Sequence, residues 1–439
     1  MKQISLRQLY NLLNQKDVVL EDDLYVKPQS TVFYKLKKFV FDGNRELEGV
    51  FNGNGHTIYN VPDVLYTKVN ESSCIKNVTI EYTDDTYTSD AIITKLNKGT
   101  IKNVTVTTQS ETPLQIGSLV RENVGEIIDC AYLSGRLRGN VTELGAIVKN
   151  NFGTISHCTV DDSVIQAESF AGGIAGRNHS GEITNCAVTN STVRGGYKCG
   201  GICAENRTDL RKCTVKNSVV SVHPSVRINM AFDTISTPDV RYPLLLSKSK
   251  VSRNKVGGLG DQIGGVCGTN TEELTHCVVT DSTLKGRSTI GGLVGKNTGT
   301  VKNVESISTE IAGSQAVGGI IGVNMHQLIK AVCDSTITGN DFVGGLVGSQ
   351  ERYKNDGNND SVITNSISNA TIHTKSDYHG GLIGLFMPDK NANLENCFQI
   401  SSNNFPLVGT IGETECSLSN SLYKKPHLSL TQAKSLVLV

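Results

Sequence analysis

The chain has 439 residues, and its 42 Lys plus Arg balance 42 Asp plus Glu, so the formal net charge is zero. A neutral chain lacks the field that gathers nucleic acid, so nucleic acid is not an expected partner. No apolar run approaches the length of a membrane span, so membrane insertion is not expected either. With 44 Gly, 9 Pro and no Trp, the composition favours short strands and tight turns over packed helices.

The first residues predict an N-terminal cap over residues 1–45. Ser5 and Gln8 fit a capping box, and leucines follow at helical spacing. We predict a helix over about residues 5–15 that covers the open edge of the first strands. We expect no signal peptide, because the segment 1–23 lacks a continuous apolar stretch. We therefore expect a cytoplasmic protein, a protein exported to the exterior by a dedicated non-Sec route, or part of a virion.

Residues 46–425 repeat a segment of the form Gly-Gly-apolar-x-Gly-x-Asn, clearest at 172–178 and 291–297. Uninterrupted repeats are 26 to 28 residues long. Strands this short cannot bury a face alone and must stack on copies of themselves. The sequence predicts an all-β, right-handed parallel β-helix (β-solenoid) of about twelve coils, roughly 27 residues each, with three short strands per coil.

An asparagine follows the first small residue of each early repeat by six positions. Stacked coils place equivalent residues about 4.8 Å apart, so these amides can hydrogen-bond from coil to coil. The predicted structural ladder is Asn97, Asn123, Asn151, Asn178, Asn206, Asn270, Asn297 and Asn324.

Two further rows follow in each repeat. One is a small inward position, occupied by Cys130, Cys158, Cys186, Cys213, Cys277 and Cys397; the other is an Asx-Ser pair at 162–163, 190–191, 217–218, 281–282 and 334–335. The Asx residues predict turns. In-register cysteines have parallel Cα–Cβ vectors, which is a poor geometry for disulfides, so we expect reduced thiols.

The block Gly-Gly-[Ile/Val/Leu]-x-Gly-x-Asn…Cys-x-Val-x-x-Ser, best seen at 172–193, 200–220 and 264–284, resembles the GLUG repeat. The lead-in at 51–58 is similar to the first coils of right-handed β-helices. The resemblance implies a stalk or binding module of the kind found in large bacterial surface and secreted proteins, some of which carry a peptidase elsewhere. It implies no catalytic residue within the repeat.

Interruptions of the repeat are the candidate binding segments, because loops on a rigid scaffold usually carry recognition. They are an insertion at 221–256 and two loops, 351–360 and 387–393, which should leave one corner in adjacent coils. An apolar tail, 426–439, is either a C-terminal cap or a docking segment. The candidate binding residues are His223, Arg227, Arg241, Asp356, Asp360, Tyr378 and His379.

The sequence holds no His-Glu-x-x-His, Gly-x-Ser-x-Gly or phosphate-loop motif, so no catalytic residue, cofactor or metal is predicted. The prediction is a non-enzymatic structural or adhesive solenoid that presents loops to a protein or glycan partner. The alternative is a polysaccharide lyase or hydrolase, or a phage-tail-like receptor-binding β-helix. Ice binding ranks last, since threonine is not expected to recur at one outward position.

Overall fold

The computed structural model describes residues 1–27, 45–83, 89–109, 116–138, 142–222, 261–351, 362–375, 378–387, 393–401, 405–411, 422–424 and 429–437. These residues form an all-β parallel β-solenoid of about 11 turns, roughly 27 residues apart. Successive coils pair in register, as in Thr154↔Glu182 and Ile155↔Ile183. The predicted β-solenoid is confirmed, and the right-handed wind stays a prediction.

The described strands belong to three sheets. Sheet 1 has 30 strands: Lys2–Ile4, Val18–Val19, Leu24–Val26, Val50–Asn52, Thr57–Tyr59, Cys74–Tyr82, Thr100–Thr108, Glu126–Ile128, Ala131–Leu133, Arg136–Arg138, Thr154–Ser156, Thr159–Asp161, Val164–Gln166, Glu182–Thr184, Ala187–Thr189, Thr192–Gly195, Leu210–Arg211, Thr214–Lys216, Val219–Val222, Glu273–Thr275, Val278–Thr280, Thr283–Lys285, Thr300–Ala312, Gln327–Gly339, Val362–Thr364, Ile367–Ser368, Thr371–Thr374, Asn393–Glu395, Cys397–Gln399 and Leu422–Lys424.

Sheets 2 and 3 are smaller. Sheet 2 has 13 described strands: Glu46–Leu47, Tyr66–Val69, Ser89–Asn97, Ile116–Asn123, Val148–Asn151, Ala175–Asn178, Cys203–Asn206, Cys267–Asn270, Val294–Asn297, Ile321–Asn324, Val347–Gln350, Ile383–Phe386 and Val408–Ile411. Sheet 3 has eight: Glu143–Gly145, Phe170–Gly172, Lys198–Gly200, Gln262–Gly264, Ile290–Gly291, Gln315–Gly318, Asp341–Gly344 and His379–Gly380.

The number of strands per coil differs from the expected three. Coils such as 143–166 contain five short strands, three of which belong to sheet 1. The cause is local backbone conformation. In that coil His157 and Asp162 have φ of 54° and 46°, the left-handed region that interrupts a strand. In a later coil the three segments form one continuous strand, Thr300–Ala312, although Asn303 and Ser308 within it have φ of 53° and 49°.

The Asx-Ser pairs mark the second of these bends. Asp162, Asn190, Asn217 and Asp281 all have φ between 46° and 50°, as a turn requires. Asp334 differs: it has no positive φ, and it lies inside the continuous strand Gln327–Gly339.

The serines of these pairs form a buried row, and its hydrogen bonds between coils were not evident from the sequence. Ser163 Oγ donates to the Asp161 carbonyl at 2.8 Å, and the Ser163 amide donates to Ser191 Oγ of the next coil at 3.0 Å. The Ser191 amide donates to Ser218 Oγ in the same way, at 3.2 Å. Each serine therefore satisfies backbone groups of two successive coils.

The predicted asparagine ladder is confirmed. All eight side chains are buried, and each Nδ2 donates to the amide oxygen one coil ahead, for example Asn123 to Asn151 at 2.9 Å and Asn151 to Asn178 at 2.8 Å. Gln350 extends the ladder by accepting from Asn324 at 2.8 Å. At the other end Asn97 Oδ1 has no partner among the described residues, since Val69 holds this position one coil earlier.

The first glycine of each repeat is needed where the chain turns from sheet 3 into sheet 2. A Cβ on Gly172 would lie 1.9 Å from the Ala175 carbonyl oxygen and 2.7 Å from Cys203 Cα. No side chain fits this backbone contact. The third glycine, Gly176, is less restricted. A Cβ added there would lie 2.7 Å from its nearest neighbour, the Lys149 carbonyl oxygen, and Ala204 occupies the same position in the next coil.

The inward cysteine row is confirmed as buried. Eleven described cysteines are free thiols, and Cys130 Sγ, for example, donates to the Ile128 carbonyl at 3.3 Å. Burial raises the pKa of the Cys333 and Cys397 thiols to about 12. These sulfurs behave as small core side chains.

Two helices of the described residues flank the coils. Helix α1, Leu6–Leu13, has the predicted capping box at Ser5 and Gln8 and buries Leu6, Leu9 and Leu13 in the main core. Helix α2, Leu430–Val437, lies against the side of sheet 1: Leu430 packs on a small apolar cluster, and Lys434 Nζ contacts Glu305 Oε1 at 2.8 Å. The cluster consists of Val332, Ile367, Phe398 and Ile400.

Candidate functional site

The residue after each ladder asparagine lies at the corner between sheet 2 and sheet 1. Its amide is fixed by the carbonyl of the preceding coil's ladder residue, as in Phe152 to Asn123 at 2.7 Å and His179 to Asn151 at 2.8 Å. Successive side chains of this row are therefore stacked one coil apart, at about 4.8 Å. We call four consecutive members the ridge: Val124, Phe152, His179 and Arg207.

The ridge carries exposed apolar surface. Among the described residues, the exposed large hydrophobic side chains are Met1, Val19, Val124 and Phe152, and the last two stand next to each other. Val124 is 50% exposed and Phe152 41%. The Phe152 and His179 rings are parallel, with centroids 4.7 Å apart and planes 4° apart. Single exposed apolar residues are ordinary, but an adjacent pair beside charged groups is typical of interaction surfaces.

An ion-pair cluster borders the ridge, defined as Glu143, Arg177, Lys198, Glu205 and Arg207. Arg177 Nη1 contacts Glu143 Oε1 at 3.1 Å; Glu205 Oε1 contacts Lys198 Nζ at 3.4 Å and Arg207 Nη2 at 3.2 Å. Arg177 Nε lies 3.5 Å from Glu205 Oε2, an ion-pair contact that is not a well-formed hydrogen bond.

Aromatic rings lie under the cations of this cluster. The Arg177 guanidinium sits 4.1 Å from the Phe170 ring centroid, and Lys198 Nζ lies 5.5 Å from the same ring. Strand register explains the arrangement, because Phe170 pairs with Lys198 in sheet 3 and Arg177 pairs with Glu205 in sheet 2. Cation–π contacts and ion pairs together hold these side chains in place.

The electrostatics of the cluster favour charged Glu205 and neutral His179. Burial opposes ionisation of Glu205, but Lys198, Arg207 and Arg177 outweigh it and lower the pKa of the carboxyl group. Burial, with Arg207 and Arg177, lowers the pKa of His179. The His179 ring nitrogen Nε2 is 3.2 Å from Asn150 Oδ1, which fits a neutral imidazole that donates there.

The structure places only two of the sequence-predicted binding residues. Tyr378 is half-buried against Phe342, with ring centroids 5.8 Å apart, and His379 meets the Phe405 ring edge-to-face at 4.2 Å. His223, Arg227, Arg241, Asp356 and Asp360 lie outside the described residues.

The flanks of the three interruptions are described. Gln350 pairs with Phe386 and Val362 with Asn393, so the two loops leave one corner in adjacent coils, as predicted. After the insertion, fully buried Asp261 accepts from the Arg287 amide at 3.0 Å, from Nε at 2.9 Å and from Nη2 at 2.7 Å. A bidentate pair of this kind fixes the chain where it re-enters the coils.

Sequence reasoning missed the ridge. Its row alternates chemistry, with Lys98, Thr271 and Thr298 at equivalent positions, so it shows no periodic signal. The available signal was that two successive coils, those of Val124 and Phe152, are apolar at this corner position, whereas Met325 and Met387, the other apolar residues in the described part of the row, are not in successive coils with them.

The expectation that threonine would not recur at one outward position is wrong. In the middle segment of sheet 1, Thr79, Thr105, Thr159 and Thr214 share a register position. Ala131 and Ala187 alternate with them, which interrupts the hydroxyl array.

Within the described ranges, no group of three or more His, Cys, Asp or Glu side chains is arranged to hold a metal ion. Neither described helix has the length and apolar character needed to cross a bilayer.

Comparisons with known proteins agree with the architecture. A family profile described as the GLUG motif matches residues 171–194, which include Arg177 and His179 of the surface described above. The chain is thus a parallel β-solenoid that carries a GLUG motif. No curated protein sequence matches it.

Two solved structures are similar at low identity. One is a "putative immunoglobulin A1 protease" from Bacteroides ovatus, at 13% identity and a TM-score of 0.28, covering 96% of this chain and 82% of that one. The other is named "IgA1 Protease", at 10% identity and a TM-score of 0.27, and this chain spans 24% of its length while 99% of this chain is covered. These values are too low to transfer an activity.

Proposed function

We propose that the chain is a non-enzymatic, adhesive β-solenoid that binds a protein or glycan partner, and that the ridge is its contact surface. The observation that carries the proposal is the adjacent exposure of Val124 and Phe152 beside the ion-pair cluster. An apolar centre with a charged border is the usual anatomy of a recognition surface.

The scaffold supports this role because it is rigid. Ladder amides, buried serines and in-register backbone bonds tie each coil to the next, so the ridge side chains are held before a partner arrives. Surface that is already ordered loses less conformational entropy on binding. Most recurring positions serve this architecture, whereas the ridge departs from the repeat.

An adhesive role at a cell surface follows the GLUG resemblance and is part of the proposal. Tyr378 and His379 would form a second contact region toward the C-terminal coils. Their rings pack on Phe342 and Phe405, which gives a half-buried aromatic group on the outside of sheet 3.

The proposal is tested by screening the purified full chain on an oligosaccharide array and against a phage-displayed random peptide library. The double variant Val124→Ser/Phe152→Ser is the comparison, and Thr298→Ala, in the same corner row, is the matched control. We expect a ligand of one class that the double variant no longer binds and the control still binds. A ligand that both variants bind equally, or cleavage of the glycans by the pure chain, would overturn the proposal.

A further inference from the structure

We infer that the ridge takes a protein segment that presents an apolar side chain next to a carboxylate. The inference rests on the proposed binding function and adds the chemical class of the partner. It places the apolar side chain against Val124 and Phe152 and the carboxylate at Arg207.

The apolar contact is better suited to a protein side chain than to a sugar ring. The Phe152 face toward the next coil is covered by the parallel His179 ring at 4.7 Å, and its other face is turned to the coil of Val124. Because the rings stack from coil to coil, mainly their edges point away from the solenoid. A sugar prefers a free aromatic face, whereas aliphatic and aromatic side chains pack well against ring edges.

The charge along the ridge changes sign from one end to the other. Near Val124, Arg121 is paired with two carboxylates, Asp90 at 3.3 Å and Glu122 at 3.2 Å. Lys98, one coil earlier in the same row, contacts Glu71 at 3.7 Å, so these five groups together carry one negative charge. Near Arg207, the ion-pair cluster has three cations and two carboxylates, a surplus of one positive charge. A partner carboxylate is therefore attracted to one end, which fixes the direction in which the segment lies.

Arg207 has a guanidinium nitrogen available to donate hydrogen bonds to a partner. Its Nε and Nη2 both contact Glu205 Oε1 at 3.2 Å, and Nη1 has no contact of this kind among the described residues. The side chain is 48% exposed, yet Glu205, itself 10% exposed, holds the guanidinium in place. A held guanidinium with an open donor recognises a carboxylate at little cost in side-chain entropy.

The test starts from a phage-displayed random peptide library selected on the full-length chain, with counter-selection on Phe152→Ser. Enriched peptides are synthesised in pairs, with Glu or with Gln at each acidic position, and titrated by fluorescence anisotropy. We expect enriched peptides to combine an apolar residue with Asp or Glu. Affinity should fall at least about tenfold on the Glu-to-Gln change in the peptide, a difference of roughly 1.4 kcal/mol.

Variants of the chain separate charge from packing. Arg207→Gln should abolish the preference for Glu over Gln peptides while leaving the Gln peptides bound as before, and Phe152→Ser should weaken both. Lys296→Gln, a cation in the outward row of sheet 2 that contains Arg177 and Glu205, is the charge-matched control and should change neither. Thermal unfolding of each variant shows that the coils remain folded.

The outcomes are distinct. Enrichment of neutral peptides, or a Glu preference that survives Arg207→Gln, overturns the inference. Oligosaccharides that bind through the ridge when no peptide does would overturn it as well, but would leave the proposed binding function standing. If neither library yields a ridge-dependent ligand, both fail.

Discussion

The ladder asparagines are the residues on which the stack of sheet 2 most depends. The Asn151 side chain is fully buried. Its Oδ1 accepts a hydrogen bond from Asn123 Nδ2 at 2.9 Å, and its Nδ2 donates one to Asn178 Oδ1 at 2.8 Å. Asn151→Ala therefore leaves buried Asn178 Oδ1 without its donor, and it leaves Asn123 Nδ2 with only the longer contacts to the Gly125 and Thr154 carbonyls, at 3.2 and 3.3 Å. We expect a loss of about 2–4 kcal/mol in the free energy of unfolding, measured by denaturant titration.

The matched control for Asn151 is Asn97, the first member of the ladder. Its Oδ1 is already without a partner, so Asn97→Ala leaves only Asn123 Oδ1 without its donor. The expected loss is about 1–2 kcal/mol. Equal losses for the two variants would mean that the amides contribute by packing and not by a chain of hydrogen bonds.

Glu205 makes stability depend on pH. Its folded-state pKa is lowered from the ordinary 4.5, because Lys198, Arg207 and Arg177 together outweigh burial. A carboxyl group with a lowered folded pKa stabilises the fold above the unfolded pKa, and this contribution is lost as pH falls through the folded pKa.

Glu205→Gln should remove about 1–3 kcal/mol at neutral pH. Below about pH 4.5 the difference between wild type and variant should shrink, since the wild-type carboxylate also becomes protonated. Unfolding midpoints across this range check the prediction. A difference that is constant with pH would show that the loss comes from packing.

Among single residues, those that recur from repeat to repeat were predictable from the sequence. The ladder asparagines and the left-handed Asx residues stand at a fixed spacing, and that spacing has one physical explanation. The serine row was visible as a pattern, but its bonds were not, because they join coils through backbone atoms. Phe152 and Arg177 do not recur, and a single sequence holds no signal that brings them to one surface.

At the scale of elements, the turn from sheet 3 into sheet 2 sets the strictest steric limit. Gly172→Ala would force a Cβ to within 1.9 Å of a carbonyl oxygen, and we expect a loss of about 3 kcal/mol or more. Gly176→Ala, four residues later, is the control and should cost about 1 kcal/mol, because Ala204 is accommodated at that position. Thermal unfolding of both variants checks the contrast; equal losses would contradict it.

Helix α2 covers apolar surface on the side of sheet 1. Val332, Ile367, Phe398 and Ile400 are at most 4% exposed, and Leu430 packs on them. Deletion of residues 429–439 should expose this cluster and produce oligomers or aggregates, visible by light scattering after size exclusion. Leu430→Asp should act in the same direction, and the exposed-site variant Ser435→Asp should not. A monomeric, soluble truncation would instead favour a detachable docking tail.

Elements were predictable where a local rule governed them. Ser5 and Gln8 specified helix α1, and its three leucines are buried in the main core, as the predicted cap requires. The split of sheet 1 into segments was not predictable, since Ser134 and Lys212 are not typical left-handed residues and only the stacking of coils imposes φ of 52° and 53° on them. The position of helix α2 against the side of sheet 1 depends on a tertiary contact between Lys434 and Glu305. These residues are far apart in the sequence and belong to no repeating pattern, so the contact could not be predicted.

For the whole molecule, the repeat period was sufficient to predict the solenoid, because each coil contacts mainly its neighbours and one coil therefore defines the next. The same property governs how the molecule opens. If coils separate from one end, buried groups become accessible in order along the chain; if the array unfolds cooperatively, they become accessible together.

The inward cysteines report which of these occurs. Ten described cysteines are buried, and Cys74 alone among the eleven is partly exposed. Burial raises the pKa of Cys74, with Lys76 and Lys102 opposing the shift, so its thiolate fraction is small and its reaction should be slow. In a Cys416→Ser background, which removes the one cysteine outside the described residues, we expect a thiol reagent to label only Cys74 in the native state.

Titration with denaturant should then expose the remaining ten thiols. Mass spectrometry of labelled peptides shows whether Cys130 to Cys277 become reactive in one step or from one end of the stack. We expect one step across this run, because the asparagine ladder and the buried serines tie these coils together without a break. Few reactive thiols after complete unfolding without reductant would contradict the expected reduced state, and labelling of Cys158 in the folded chain would contradict the dry interior.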